Sequence, residues 1–454
     1  MSRPVLLREL RPTLTLAAPI VAGQLCQMLM GVMDSAMIGH AGAVPLAASA
    51  FANNVFNIFF IVGVGLMIPV AIFVARARGA RAPAEAGDYL RHGVALAVVL
   101  GVAETAAMAA LAPWLGHFGQ PAEVVAIVTP FFLLFAASLV PLLVYLALRQ
   151  FAEAMGRPWA PMVIMLLGVG LNALLNWVFI FGHLGVPPLG LTGAGLATLL
   201  SRTLGAGVIL WWLRRDARMR EAWPARWLGH FSRARFREML GVGLPAAGML
   251  FFEVTAFACS GLMVGWLGAA PLAAHQIAMS CASLVFMVPL GLSMAAGVRV
   301  SHAVGSGERA AVRPIALGAL GVGLAVMGVF AVVFALGRGP IAGWFVHDAP
   351  VIAIAAQLLV VAALFQLADG TQVIAAACLR GVTDVKVPAL ITLIAYWAIA
   401  LPLGYALGIR GSLGATGVWL GIAGGLTFAA VFLTSRLARL TRGLKNSRRS
   451  DGVR

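Results

Sequence analysis

Residues 240–264 read LGVGLPAAGMLFFEVTAFACSGLMV, an apolar run with one acidic or basic side chain, Glu253. A run of this length meets the ~20 residues that a helix needs to cross the hydrocarbon core of a bilayer. The nearest basic residue upstream is Arg237, which places Glu253 roughly 24 Å along the helix at ~1.5 Å per residue. That is close to the midplane. A charged side chain there costs about 2.5–3.5 kcal/mol on insertion scales, so an ionisable residue inside a span is first of all a candidate functional residue.

The rest of the chain has the same character. Of 454 residues, 61% are hydrophobic and only 11% charged, and the mean hydropathy is +0.96, far above a soluble domain of this size. Apolar runs recur at 13–37, 46–75, 92–114, 122–148, 159–181, 190–213, 239–264, 272–298, 314–337, 350–378, 387–408 and 412–435. These spacings predict an all-α integral membrane protein with twelve transmembrane helices. The first run follows Arg3, Arg8 and Arg11, continues past signal-peptide length without a small-x-small cleavage site, and is expected to be retained.

A formal charge of +16 raises nucleic acid as a partner, but the placement of the charges argues against it. Basic residues gather at the N-terminus, between runs two and three (Arg76, Arg78, Arg81, Arg91), between four and five (Arg149, Arg157), from Arg214 to Arg237, and in the tail from Arg436. Loops of the opposite parity carry only Arg338 and Arg410. Such alternation follows the positive-inside rule and predicts both termini cytoplasmic; a bacterial-type inner membrane is the expected location. The four cysteines, Cys26, Cys259, Cys281 and Cys378, lie within apolar runs without metal-type spacing, and the eight histidines form no HxxxH or HExxH pattern. Neither a metalloenzyme nor a cofactor is indicated.

The chain is written twice. At an offset of 226, Pro19 falls on Pro245, Gly39 on Gly265, Gly42 on Gly268, Pro45-Leu46-Ala47-Ala48 on Pro271-Leu272-Ala273-Ala274, Gly65 on Gly291 and Gly79 on Gly305. Farther on, Pro161 matches Pro388, and Gly190-x-x-Gly193-Ala194 matches Gly411-x-x-Gly414-Ala415. The expected organisation is an N-terminal six-helix lobe (1–213), a basic cytoplasmic linker (214–238), a C-terminal six-helix lobe (239–436) and a basic cytoplasmic tail (437–454). Six helices per lobe make the repeats parallel, with the pseudo-symmetry axis along the membrane normal and a substrate site between the lobes near the midplane.

Three further acids stand inside spans. Asp369 lies about 16 Å along its helix from Arg380, at a depth like that of Glu253, and shares a stripe with Gln366 and Gln372. Asp34 lies about 34 Å from Arg11, nearer the outer surface, in the depth range of Asn172 and Asn176, which share one face of the fifth run, and of Thr198 in the sixth. The duplication sets Asp34 against Ser260 and Glu253 against Gln27, so the acids are not copies of one another. Glu104, in the third run, has no evident partner. Arg202 reads as lying near a helix end, which leaves the spans without a central basic residue.

The segments LAAPIVAGQLCQMLMGVMDSAMIG (16–39), FFEVTAFACSGLMVGWLGAAPLAAHQIA (251–278) and FQLADGTQVIAAACLRGVTDVKVPA (365–389) together resemble the multidrug and toxic compound extrusion (MATE) transporters, specifically the NorM-like branch. The resemblance covers nearly the whole chain. It implies export of small-molecule organic cations in exchange for protons or sodium ions, by a monomer. On it, Glu253 and Asp369 are the cation-coupling pair and a possible sodium site, while Asp34, Asn172, Asn176 and Thr198 are the protonation and polar network of the first lobe. Gln366, Gln372 and His275 are weaker candidates, with His275 and Arg380 at positions of structural or gating type. One residue departs from the pattern: Phe365 stands where a tyrosine is expected in sodium-using members, which removes one hydroxyl ligand.

Elementary electrostatics gives such an exchanger a rationale. Burial of a carboxylate in low dielectric favours a bound proton, and a cationic substrate nearby favours its loss, so the two cations exclude each other. Within transport the alternative is a lipid-linked saccharide flippase or another solute exporter, for which a cavity rich in Arg and Lys is expected. An integral membrane enzyme or receptor is a third class; it lacks a clustered catalytic set and has no need of two parallel repeats.

Overall fold

The computed structural model describes residues 3–224, 226–227 and 229–451. Ala225 and Leu228 of the basic connector and residues 452–454 of the basic tail lie outside the described residues. Every regular element among the described residues is helical, and twelve helices are long and apolar enough to span a membrane. They are α1 (Glu9–Ala41), α2 (Ala43–Gly79), α3 (Pro83–Phe118), α4 (Ala122–Ala154), α5 (Trp159–Phe181), α6 (Gly190–Arg215), α7 (Arg233–Gly265), α8 (Ala269–Gly305), α9 (Arg309–Gly343), α10 (Ala349–Gly381), α11 (Lys386–Arg410) and α12 (Gly414–Gly443). Each apolar run is carried by one of them. Several helices overshoot their runs into polar ends; α7 already begins within the basic connector.

Outward-facing leucines mark the surface as one for lipid. Leu167 is 67% exposed and Leu336 81%, positions that water would penalise and hydrocarbon does not.

By compactness the chain divides into two units, one of Ala22–Ala247 and the other of Met1–Val21 with Gly248–Arg454. We call them the N unit and the C unit. The division does not follow the connector. It cuts α1 after Val21 and α7 after Ala247, positions that are themselves 226 apart, each two residues beyond a helix proline, Pro19 or Pro245. The start of α1 is thus built into the C unit, where Ala17 and Ile20 join a core with Leu292, Ala295 and Leu433. Arg299 of α8 donates there to the Glu9 carboxylate and to Thr13 Oγ1. The start of α7 is built into the N unit in the same way: Ala247 packs with Leu66, Met67 and Ala97.

Two glycines make both packings possible. A Cβ on Gly65 would run into the backbone of Ala247, and one on Gly291 into the backbone of Val21, with its amide nitrogen at 2.8 Å. Both glycines and both of their partners are related by the repeat offset. Gly42 and Gly268, with φ of 138° and 113°, occupy the turns into α2 and α8, a conformation that side chains rarely adopt.

Two helices depart from regular winding for reasons visible in the sequence. In α4 the regular helix stops at Ala137 and resumes at Leu139, because Pro141 lacks the N–H that would bond the Ala137 carbonyl. Ser138, at the break, donates its hydroxyl to the Phe135 carbonyl at 2.6 Å. In α11 the segments Ile394–Ala400 and Ala406–Arg410 are π-helical. Pro402 lies between them and cannot bond the carbonyl four residues back, and the wider turns absorb the mismatch.

Candidate functional site

Glu253 and Asp369 come together in the C unit through Gln372. This side chain sits one turn beyond Asp369 on α10, and its amide nitrogen lies 3.3 Å from Asp369 Oδ1, 3.4 Å from Glu253 Oε1 and 2.7 Å from the Tyr396 hydroxyl. Two amide protons face three acceptors. The short bond to Tyr396 takes one, and the two carboxylates share the other at longer range. Asp369 is 7% exposed and Gln372 2%, while Tyr396 is fully buried. The result is a closed cluster of two carboxylates, an amide and a phenol contributed by α7, α10 and α11.

Tyr396 was not among the residues expected. A tyrosine inside an apolar run was the available signal, since a buried phenol needs a polar partner. It lies on the first π-helical turn of α11, a type of distortion frequent at functional sites. Phe365 packs on Trp419 with ring centroids 5.4 Å apart. The phenol of the cluster comes from another helix, α11. Replacing Tyr396 by Phe removes the shortest bond of the cluster, and thermal unfolding of the solubilised protein is expected to show a loss of about 0.5–1.5 kcal/mol.

Among the described residues the other second-lobe candidates make no hydrogen bond to the carboxylates, although the Arg380 guanidinium acts on Glu253 electrostatically. His275 Nδ1 accepts from Trp419 Nε1 at 3.0 Å; because indole N–H only donates, the imidazole proton resides on Nε2 in this arrangement. His275 thus ties α8 to α12 and is not hydrogen-bonded to the carboxylates. Gln366 is buried, and neither its amide oxygen nor its nitrogen has a hydrogen-bond partner. Arg380 is half-buried in the last turn of α10.

The first-lobe candidates form a second centre within the N unit. Asn176 Nδ2 donates to Asp34 Oδ1 at 2.6 Å and lies 3.2 Å from Asn172 Oδ1. Asn172 Nδ2 reaches Ser201 Oγ at 3.4 Å, and Ser201 Oγ donates to the Thr198 carbonyl at 3.1 Å. Thr198 enters this chain through its backbone. The link sequence reading missed is Ser201, one turn beyond Thr198 on α6. Asp34, Thr198 and Ser201 line a cavity of about 190 Å³ together with Gln27, Asn53 and Asn57. Gln27 is the residue that the repeat sets against Glu253. In the N unit the carboxylate of the first helix is hydrogen-bonded by the fifth, through Asn176 of α5, while in the C unit Tyr396 of α11 is joined to Glu253 through Gln372.

Arg202 corrects the sequence reading. It lies near the middle of α6, not near an end, and it lines the same cavity as Asp34. Counting apolar residues outward from Arg202 in both directions would have shown this. Glu104 stays outside both centres: it is 5% exposed with both carboxyl oxygens unpartnered, and its Oε1 lies beside Gly63 of α2.

Comparison with known proteins accounts for the architecture. The MatE family profile matches residues 19–178 and again 245–406, two matches that begin 226 residues apart, as the duplication does. The chain is similar to the multidrug resistance protein NorM of Burkholderia vietnamiensis, with 36% identity over 97% of this chain and 96% of that one. Among solved structures, a MATE transporter in complex with MaL6 superposes with a TM-score of 0.89 at 22% identity, covering 98% of this chain and all of that one. An outward-facing multidrug resistance MATE family transporter of the MOP superfamily superposes at 0.88 and 23% identity, covering 98% of this chain and 99% of that one. With twelve spanning helices, a duplicated family match and a full-length relative, the chain is a multi-pass membrane protein, a transporter and not an enzyme, and it belongs to the MATE family of multidrug efflux transporters.

Proposed function

We propose that the protein is a secondary active antiporter that exports organic cations in exchange for protons or sodium ions by alternating access, working as a monomer in a bacterial inner membrane with both termini cytoplasmic. The observation that carries this reading is the cluster of half-buried Glu253 with buried Asp369, Gln372 and Tyr396. One amide proton is shared between two carboxylates, and a buried charge left without a partner is strongly unfavourable. A cation between them restores the balance. A proton or a sodium ion fits, because every side chain of the cluster can present an oxygen. Glu253 and Asp369 hold the coupling cation; Gln372 and Tyr396 keep their carboxylates in place.

The N unit supplies a separate protonation centre. Asp34 gains or loses a proton against Asn176, Asn172, Ser201 and Thr198, and the bond between Asp34 and Asn176 ties α1 to α5. Its breaking and forming changes the course of α1 beside the cavity. A lipid-linked saccharide flippase is disfavoured because the cavity carries one guanidinium and one carboxylate, not the cluster of cations that a pyrophosphate requires.

The test is efflux of a fluorescent organic cation from proteoliposomes with proton and sodium gradients imposed separately. At least one inward cation gradient is expected to accelerate efflux severalfold. Efflux indifferent to both gradients overturns antiport. In the same assay Asp34→Asn is expected to slow efflux strongly; undiminished transport would leave Asp34 without a coupling role.

A further inference from the structure

The start of α7 has two faces of opposite character. Toward α3 its charges are saturated: Arg235 pairs with Glu85 at 2.8 Å and with Asp88 Oδ2 at 3.4 Å, and Glu238 accepts from the Tyr89 hydroxyl at 2.9 Å. Arg91 of α3 takes the other oxygen of Asp88 at 2.9 Å. On the other face Arg233 and Arg237 are exposed. Among the described residues neither of their side chains forms an ion pair or a hydrogen bond. Two guanidinia four residues apart, at the point where the helix enters its apolar run, thus have no part in holding the fold.

They stand at the head of a shallow groove of about 440 Å³ lined by Arg233, Phe236, Arg237, Leu240, Gly241 and Leu244. Spacings of three and four residues keep this set on one side of the helix. Leu244 is 59% exposed, and a Cβ on Gly241 would meet nothing within 4 Å, so the glycine leaves open a floor that a side chain would fill. From Arg237 to Leu244 the groove descends about 10 Å along the axis. That is within the ~15 Å that one leaflet contributes to a ~30 Å hydrocarbon core. Its charged end stands where lipid headgroups begin, and its apolar end faces acyl chains.

We propose that this face of α7 binds an anionic phospholipid, with Arg233 and Arg237 on the phosphodiester and an acyl chain along Phe236, Leu240, Gly241 and Leu244. Guanidinium matches phosphate oxygens with paired N–H donors, and each basic residue near a membrane surface adds to the attraction for anionic lipid. A choline headgroup carries its own cation and gains less. Free phosphate has no use for the apolar floor, and a second copy of the chain would set two arginines against two. The proposal rests on the chain being a multi-pass membrane protein and is independent of antiport.

The probes are phosphatidylglycerol and phosphatidylcholine carrying the same photoreactive diazirine in one acyl chain. Each is mixed in trace amount into phosphatidylcholine nanodiscs holding the full chain, and crosslinked residues are mapped by peptide mass spectrometry. The phosphatidylglycerol probe is expected to label residues 240–244 about 10- to 30-fold more than the phosphatidylcholine probe, the scale of two basic side chains at a lipid surface. The double variant Arg233→Gln, Arg237→Gln brings that ratio within about twofold of unity and leaves labelling of the other helices unchanged. Gly241→Phe fills the floor and lowers phosphatidylglycerol labelling there severalfold with both arginines in place. The comparison of the two probes on the wild type needs no variant, so misfolding of a variant does not shield the proposal. Equal labelling of 240–244 by both probes overturns it. An undiminished ratio in the folded double variant does so too, because it assigns the preference to other basic segments. Crosslinks from 240–244 to a second copy in place of lipid would mark the face as an interface and overturn it equally.

Discussion

Glu253→Gln and Asp369→Asn, each expressed at the wild-type level, are expected to lower ion-driven efflux by about 10- to 100-fold, the scale of a lost charge-assisted interaction. Both substitutions keep side-chain size and hydrogen-bonding capacity, so the cluster with Gln372 and Tyr396 retains its packing. What each removes is one of the two negative charges that share a single amide proton. Without it the cluster has less need of a cation, and on the proposed mechanism a gradient has less to act on. Stability is expected to move the other way or not at all, since neutralising one of two neighbouring acids, one buried and one half-buried, relieves repulsion. A variant that loses transport because it misfolds is distinguished by its thermal unfolding. Gln366→Ala provides the contrast: it lies on the same stripe but has no bond to the cluster, and efflux within about twofold of wild type is expected on the small scale of an unmade bond.

The second large effect concerns the fold. Gly65→Leu and Gly291→Leu are each expected to abolish accumulation of folded protein, because any side chain at these positions meets the backbone of the opposing helix, Ala247 or Val21. Overpacking typically costs about 1–3 kcal/mol and occasionally more; backbone contact leaves no side chain to move aside, so the upper end applies. Gly31→Ala is the control, since a Cβ there meets nothing within 4 Å. Fluorescence-detected size-exclusion profiles read all three. Monodisperse protein for Gly65→Leu or Gly291→Leu at the wild-type level would contradict the packing of α1 and α7 described above.

The sequence carried the twelve spans and the duplication plainly, because hydropathy and the register of prolines and glycines are local properties that survive in a single chain. The carboxylate pair was also legible, since an acid in the middle of an apolar run is conspicuous. What could not be read were the partners. Glycines 65 and 291 were aligned, yet nothing local says that each receives a helix from the other repeat, and the expected division at the connector accordingly differs from the compact units. Tyr396 lies on a helix distorted by Pro402, and its bond to Gln372 crosses from α11 to α10. Ser201 and Arg202 line a cavity that no local feature of the chain announces. The polar stripe of Gln366, Asp369 and Gln372 shows the same limit. Helical spacing placed them together, but only Gln372 reaches the carboxylates.

The antiport we propose requires that substrate binding release the cation held at Glu253 and Asp369. It is tested most directly by adding tetraphenylphosphonium to the purified protein in weakly buffered solution, with a pH dye and a sodium electrode reading cation release. Proton or sodium release that saturates with the substrate, and that is lost in the Glu253→Gln, Asp369→Asn double variant, is the predicted result. Saturable binding of tetraphenylphosphonium with release of neither cation would contradict it.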